Sequence, residues 1–295
     1  MSNNVASFDS FESDLQIAAH QAGLIRVILE GQTDVELFSR YWFSSMRDTF
    51  EFIDASKLGV GAGCTAVRAA VKKSNEVDSI PAVGILDRDC LFREEAWELL
   101  FCIDEAHFYA STRTPNLYVM SLWEVEAYLL DPGLFPHWIF SSHRRPPGTA
   151  AEGEAALARV LRECELLLDT NPFFAASHAV GVAHRNSYFR GQPIAKIKAT
   201  CEQSIAELCE NGRIVAKRVQ ELIEQIRGKL PNEDGTRLTY LLRYVDTKRL
   251  LIRLFEALRV KDDTHWMLPP LQLAASRRPE ELEKILKEVG EKFAI

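Results

Sequence analysis

Apolar and polar residues follow two different periods along the first 135 positions of the chain. Short apolar runs rich in β-forming residues alternate with segments in which apolar residues recur at helical spacing. We interpret the short runs as strands, and they cover residues 24–31, 49–56, 80–87 and 116–121. The run at 80–87 is apolar almost throughout, which is typical of a central strand that is buried on both faces.

The segments between these runs predict helices at residues 33–46 and 64–74 and from residue 122 onwards. The first begins with a capping-box signature, Thr33 with Glu36. Residues 91–104 fit either a helix or a helix followed by a strand, and the pattern leaves both open. The alternation of strands and helices predicts the α/β class, with a mostly parallel sheet flanked by helices.

The second half of the chain has a different pattern. A polar connection with Pro and Gly at residues 141–155 precedes a series of helical patterns and no comparable strand pattern. Helices are predicted over residues 155–168, 194–211, 213–230, 237–258 and 279–293. We therefore predict an α/β domain over residues 1–135 and a helical domain over residues 136–295.

The net charge of the chain limits how it can bind nucleic acid. The net charge of −7 over 295 residues excludes a surface that is basic throughout, so such a contact needs a local basic patch. The candidate patch combines Tyr188 and Phe189 with four cations, Arg185, Arg190, Lys196 and Lys198. Aromatic and basic residues together suit base stacking and phosphate contact, although an ordinary protein surface has the same composition.

The composition of the chain also indicates the cellular compartment in which we expect the protein. The six cysteines include no CxxC pair, which is typical of reduced thiols rather than of a zinc site. The first residues are polar and acidic, unlike a signal peptide, and no apolar run approaches the roughly 20 residues that span a bilayer. We expect a cytoplasmic protein that does not associate with a membrane.

Acidic residues follow several of the predicted strands. Glu30 ends the first strand, Asp87 and Asp89 end the third, and Glu124 and Glu126 follow the fourth. Ligands bind at the carboxyl ends of the strands in open parallel sheets, so these acids are expected to converge. Clustered carboxylates need a neutralising cation, and oxygen ligands suit Mg²⁺ or Mn²⁺. This pattern predicts metal-dependent cleavage of a phosphodiester bond.

Each acid taken singly also has a structural interpretation. Asp34 and Glu36 lie in the first turn of a helix, where carboxylates complement the helix dipole. Glu124 fits a solvated acid at the start of a helix in the same way. The metal site is therefore inferred from the set of acids and from its placement at strand ends.

Three segments together resemble the TOPRIM fold. They are VILEGQTDVELF at 27–38, VGILDRDC at 83–90 and LWEVEAYLL at 122–130, which are similar to an EG motif with a nearby acid, a DxD motif and a later acid. The third segment resembles more narrowly the TOPRIM-like nucleases of bacterial anti-phage defence, which include the nuclease effector of the PARIS system. YVDTKRLL at 244–251 matches loosely, since Thr247 stands where related proteins often have Gly.

The resemblance implies a role for each matching residue. Glu30 corresponds to a metal ligand or general acid/base, Asp87 and Asp89 to the metal-binding pair, and Glu126 to the acid that completes the site. Lys248 corresponds to a cation that stabilises the phosphate in the transition state, provided that the helical half folds back on the site. The alternative for Lys248 is a solvated helix lysine.

The sequence supports two hypotheses about function. The first is a TOPRIM-like nuclease with Mg²⁺ or Mn²⁺, a toxic defence effector that acts on RNA such as tRNA or on DNA and is controlled by an ABC-type ATPase partner. The second is a non-catalytic interaction module whose acids engage a basic partner surface. The helical half can bind substrate, form a homodimer or dock the partner protein, and the sequence leaves these three open.

Overall fold

The computed structural model describes residues 23–134, 137, 150–182, 189–259 and 277–293. Within this part of the chain every helix is too short or too polar to cross a bilayer. The strands are β1 (Ile25–Leu29), β2 (Phe50–Asp54), β3 (Ala82–Leu86) and β4 (Leu117–Val119). The helices are α1 (Gln32–Glu36), α2 (Cys64–Glu76), α3 (Cys90–Arg93), α4 (Trp97–Leu100), α5 (Glu105–Thr112), α6 (Ala150–Ala179), α7 (Ile194–Glu207), α8 (Glu210–Arg227), α9 (Asp234–Leu241), α10 (Thr247–Ala257) and α11 (Glu280–Phe293).

The strands form one parallel sheet in the order β2-β1-β3-β4. All five residues of β1 and all five of β3 are buried, as the apolar runs predict for inner strands. β1 pairs in parallel with both β2 and β3. The predicted α/β class, with a mostly parallel sheet, flanking helices and a largely helical C-terminal part, is confirmed.

Several predicted helices differ in detail. The segment at 33–46 is α1 followed by a π-helix, Leu37–Trp42, and a short 3-10 helix, Ser44–Met46. The predicted capping box is wrong, because the helix begins after Gly31, whose N–H donates to the Asp34 carboxylate at 3.0 Å. The acid that closes the first turn is therefore Asp34.

Two further helix predictions are corrected. The segment from residue 122 forms a 3-10 helix, Val125–Leu129. Residues 91–104, for which the sequence left two interpretations open, contain short helices and no strand. The helix predicted over 237–258 is broken into α9 and α10, because the Asp246 side chain accepts the Arg249 N–H at 2.8 Å and so starts a new helix.

The chain forms two compact units. The first contains β1, β2, β3, α1, α2 and α11, with α2 packed on β1 and β3. Gly84 permits this packing, since a Cβ there would lie 2.7 Å from a methyl carbon of Val67 and 3.0 Å from one of Val71. In the same unit Glu288 of α11 forms an ion pair with Arg113 at 3.1 Å.

The second unit is built around the 30-residue helix α6, which contacts α7, α8, α9 and α10. It also contains α3, α4, α5 and the 3-10 helix Val125–Leu129. Its interior holds a charged group, in which buried Glu163 pairs with Arg159 at 3.0 Å and with buried Arg253. The domain boundary predicted at residue 135 stays a prediction.

Candidate metal centre

Two neighbouring strands end beside each other and are each followed by an acid. β1 and β3 run parallel, and their register pairs Ile28 with Gly84. Glu30 is the first residue after β1, and Asp87 is the first residue after β3. Both acids therefore follow the carboxyl ends of adjacent strands, which is where open α/β sheets bind their ligands.

The carboxylates of Glu30, Asp87 and Asp89 form a cluster at these strand ends. One oxygen of each lies within 4.8 Å of the others, with Asp87 buried and the other two half-buried. Like charges at this separation repel one another, and a bound divalent cation would relieve the repulsion. An all-oxygen donor set of this kind suits Mg²⁺ or Mn²⁺ better than zinc.

The two aspartates are fixed by different contacts. Oδ1 of Asp87 accepts the backbone N–H of Val125 at 3.0 Å. Oδ2 of Asp89 accepts from Arg93 at 2.8 Å, while its Oδ1 is buried and has no hydrogen-bond partner in the part of the chain that the structure describes. A buried carboxylate oxygen without a donor is costly, so this atom fits the position of a metal ligand.

Glu126 is buried on the 3-10 helix Val125–Leu129. Among the described residues it does not belong to the group of oxygens that lie within 4.8 Å of one another. Its Oε2 is buried and no described residue donates a hydrogen bond to it, and the charge of Glu126 acts on both Glu124 and Lys248. Glu126 thus lies among charged neighbours, and its role as a metal ligand stays a prediction.

Lys248 makes a close ion pair with Glu124. Its Nζ donates to Oε1 of Glu124 at 2.7 Å, and its backbone N–H donates to Oε2 at 3.1 Å. The lysine side chain is 48% exposed and the glutamate side chain 5%. Lys248 is therefore anchored at the start of α10 by a buried carboxylate while about half of its side chain is in solvent, and its role at the phosphate stays a prediction.

Glu124 has two interpretations from the sequence, an acid at a strand end and a solvated acid at the start of a helix, and the second is wrong. Glu124 is buried and holds a residue 124 positions later in the chain. No local spacing connects the two residues. The sequence feature that could have pointed to Glu124 is its position as an acid in a strongly apolar segment, two residues before Glu126.

Burial and neighbouring charges shift the pKa values of this pair. Burial and the Asp246 carboxylate raise the pKa of Glu124 to about 8, although the Lys248 ammonium acts in the opposite direction. Burial disfavours the charged form of Lys248, but the carboxylates of Glu124 and Glu126 outweigh it and raise the lysine pKa above its ordinary value. Lys248 accordingly carries its positive charge throughout the physiological range.

The candidate nucleic-acid patch is only partly described. Arg185 and Tyr188 lie outside the described residues, while Arg190 and Lys196 are exposed. Lys198 forms an ion pair with Asp169 at 2.7 Å. Phe189 is 2% exposed and packs edge-on against Phe174, so base stacking on its ring is not available in this structure.

Comparison of the chain with protein-family models, with curated proteins and with solved structures found no significant match.

Proposed function

We propose that this protein is a metal-dependent nuclease of the TOPRIM type, which hydrolyses phosphodiester bonds with Mg²⁺ or Mn²⁺. The observation that carries the proposal is the cluster of Glu30, Asp87 and Asp89 oxygens within 4.8 Å at the ends of two parallel strands. Within that cluster, Oδ1 of Asp89 is buried without a hydrogen-bond donor among the described residues, which adds support. The predicted site residue Glu126 is kept as a further ligand candidate.

Glu30, Asp87 and Asp89 would hold the ion. When bound, a divalent ion activates water and neutralises charge on a phosphodiester. The contribution of the chain itself is orientation, since the Val125 N–H and Arg93 each hold one oxygen of an aspartate. Among the described residues this leaves Oδ1 of Asp89 as the oxygen without a donor, in the position of a metal ligand.

The Lys248 ammonium would contact the phosphate group of the substrate. Hydrolysis forms a bond from a water oxygen to phosphorus, breaks one P–O ester bond and adds negative charge to the phosphate oxygens, and the departing oxygen gains a proton. A fixed ammonium stabilises that developing charge without reorganising. The pair with Glu124 fixes Nζ, and the half-exposed side chain leaves donors for a substrate.

The biological setting rests on the resemblance to the TOPRIM-like nucleases of anti-phage defence. On that basis we propose a cytoplasmic toxic effector that an ABC-type ATPase partner controls. Its substrate would be RNA such as tRNA, or DNA. Exposed Arg190 and Lys196 are kept as candidates for phosphate contact.

Burial argues against the alternative of a non-catalytic interaction module. Asp87, Glu124 and Glu126 expose 8%, 4% and 7% of their surface. A basic protein surface could reach half-buried Glu30 and Asp89 but not the buried carboxylates, whereas a small cation could contact all three acids of the cluster. We therefore favour the nuclease over the module.

The test is cleavage by the purified chain. Labelled tRNA, single-stranded RNA and duplex DNA would each be incubated with the protein in Mg²⁺, Mn²⁺ or EDTA. We expect cleavage of at least one substrate with metal, no cleavage in EDTA and none by Glu30→Gln or Asp87→Asn. The matched controls, Glu202→Gln and Asp48→Asn, change exposed acids outside the cluster and should cleave normally. Cleavage that persists in EDTA, or in both site variants, would contradict the proposal.

A further inference from the structure

Arg88 stands between the two metal-binding aspartates and is itself buried, with 2% of its surface exposed. Its guanidinium donates at 2.9 Å and 2.7 Å to the carbonyl of Leu100 and at 2.9 Å to that of Ser121. Weaker contacts reach the carbonyls of Leu99 at 3.3 Å and Cys102 at 3.4 Å. The side chain therefore points into the protein rather than to the acids beside it.

Aromatic rings enclose the same guanidinium. Its carbon lies 4.2 Å from the ring centroid of Phe108 and 5.1 Å from that of Tyr244. The Tyr244 hydroxyl donates to the Cys102 carbonyl at 2.9 Å, which ties the ring to the same turn. Carbonyl dipoles and aromatic faces together stabilise a buried cation.

These contacts restrain three segments at once. Because Arg88 is fixed, the peptide units on either side of it are fixed, and they carry Asp87 and Asp89. The contact with Ser121 reaches the segment that leads to Glu124 three residues later. Only a planar guanidinium offers donors in several directions at these distances, so a lysine at residue 88 would lose most of them.

We propose that Arg88 is a positioning residue, which sets the Asp87 and Asp89 carboxylates at the separation that a divalent ion requires. The inference rests on the proposed metal site and goes beyond it, since Arg88 contacts neither the ion nor the substrate. Groups that orient metal ligands from behind typically affect metal affinity about 10- to 100-fold.

The experiment is a Mn²⁺ titration of the whole chain, followed by calorimetry and by the paramagnetic resonance signal of free Mn²⁺. Arg88→Lys keeps the charge and should bind Mn²⁺ about 10- to 100-fold more weakly than the wild type. Phe108→Leu removes one aromatic face, keeps the hydrogen bonds, and should weaken binding about fivefold. This milder variant decides the question if Arg88→Lys does not fold.

Phe173→Leu is the matched control, because it also shortens a buried phenylalanine of the second unit but leaves Arg88 and its contacts unchanged. If Phe173→Leu lowers the unfolding free energy as much as Phe108→Leu does, it should still bind Mn²⁺ with the affinity of the wild type. If Arg88→Lys and Phe108→Leu bind as tightly as the wild type, the inference is wrong and the metal site stands. If the wild type binds no Mn²⁺, the proposed function fails together with the inference.

Discussion

The protein buries two groups of charged side chains that differ in their balance. In the second unit, which is built around α6, Glu163 is fully buried and lies between two arginines, Arg159 at 3.0 Å and Arg253. The carboxylate charge is neutralised by its neighbours. Arg253 also donates to the Phe189 carbonyl, so the group joins separate parts of the unit.

The strand-end group is acidic by contrast. Glu30, Asp87 and Asp89 bring three carboxylates within 4.8 Å of one another, and Asp89 pairs with Arg93 at 2.8 Å. Among the described residues, buried acid oxygens without a hydrogen-bond partner occur in both groups, on Asp89 and Glu126 here and on Glu163 in the other group, so this feature does not separate them. Burial alone therefore does not single out an acid as a candidate metal ligand. Close clustering of carboxylates is the better indication, because their repulsion must be relieved by a bound cation or by a raised pKa such as that of Glu124.

The largest expected effect comes from Asp87→Asn, which should lower metal-dependent cleavage by roughly a thousandfold or more, as for other members of a catalytic set. The same change should raise the unfolding free energy in EDTA by about 0.5–2 kcal/mol, because it removes one of several repelling charges. Cleavage assays and urea unfolding measure the two effects, with Asp48→Asn as the control. A variant that loses activity and stability together would make Asp87 a structural residue like Glu163.

Glu163→Gln should give the reverse result. It leaves buried Arg253 without a neutralising partner, so we expect a loss of about 3–5 kcal/mol in unfolding free energy. Mn²⁺ affinity measured on the folded fraction should not change. Glu202→Gln, an exposed change on α7, should alter neither quantity. A fall in Mn²⁺ affinity with Glu163→Gln would break the distinction between the two groups.

Lys248→Met separates substrate contact from metal binding. Removing the ammonium should lower cleavage about a hundredfold, the cost of losing one fixed donor to a developing charge. Mn²⁺ should bind at least as tightly as in the wild type, because a competing cation is gone. Lys217→Met changes an exposed lysine and serves as control. Weaker Mn²⁺ binding would instead assign Lys248 a role in holding the acids.

The smallest expected effect concerns pH. The pKa of Glu124 is raised from 4.5 to about 8, so between these values the folded protein binds a proton that the unfolded chain has released. The free energy of unfolding in EDTA should therefore fall as the pH rises through this range. Urea unfolding at pH 5 and pH 8 should show the fall in the wild type and a smaller one in Glu124→Gln. An identical fall in both would place its origin elsewhere.

The sheet could be predicted from sequence because β3 is a continuous apolar run and β1 is apolar apart from Arg26, so both were recognisable without a distant partner. Glu30, Asp87 and Asp89 could be grouped because strand ends in a parallel sheet share one edge. The break between α9 and α10 was missed, since the cap that starts a new helix at Asp246 lies within an otherwise helical pattern. The pairing of Glu124 with Lys248 could not be foreseen, because only tertiary folding brings together residues 124 positions apart.

The most direct measurement is the number of Mn²⁺ ions bound by the whole chain and by its Glu30→Gln and Asp87→Asn variants. We predict that the wild type binds Mn²⁺, that both variants lose this binding, and that Glu202→Gln and Asp48→Asn keep it. A wild type that binds no Mn²⁺, or variants that bind it unchanged, would contradict the metal centre at the strand ends.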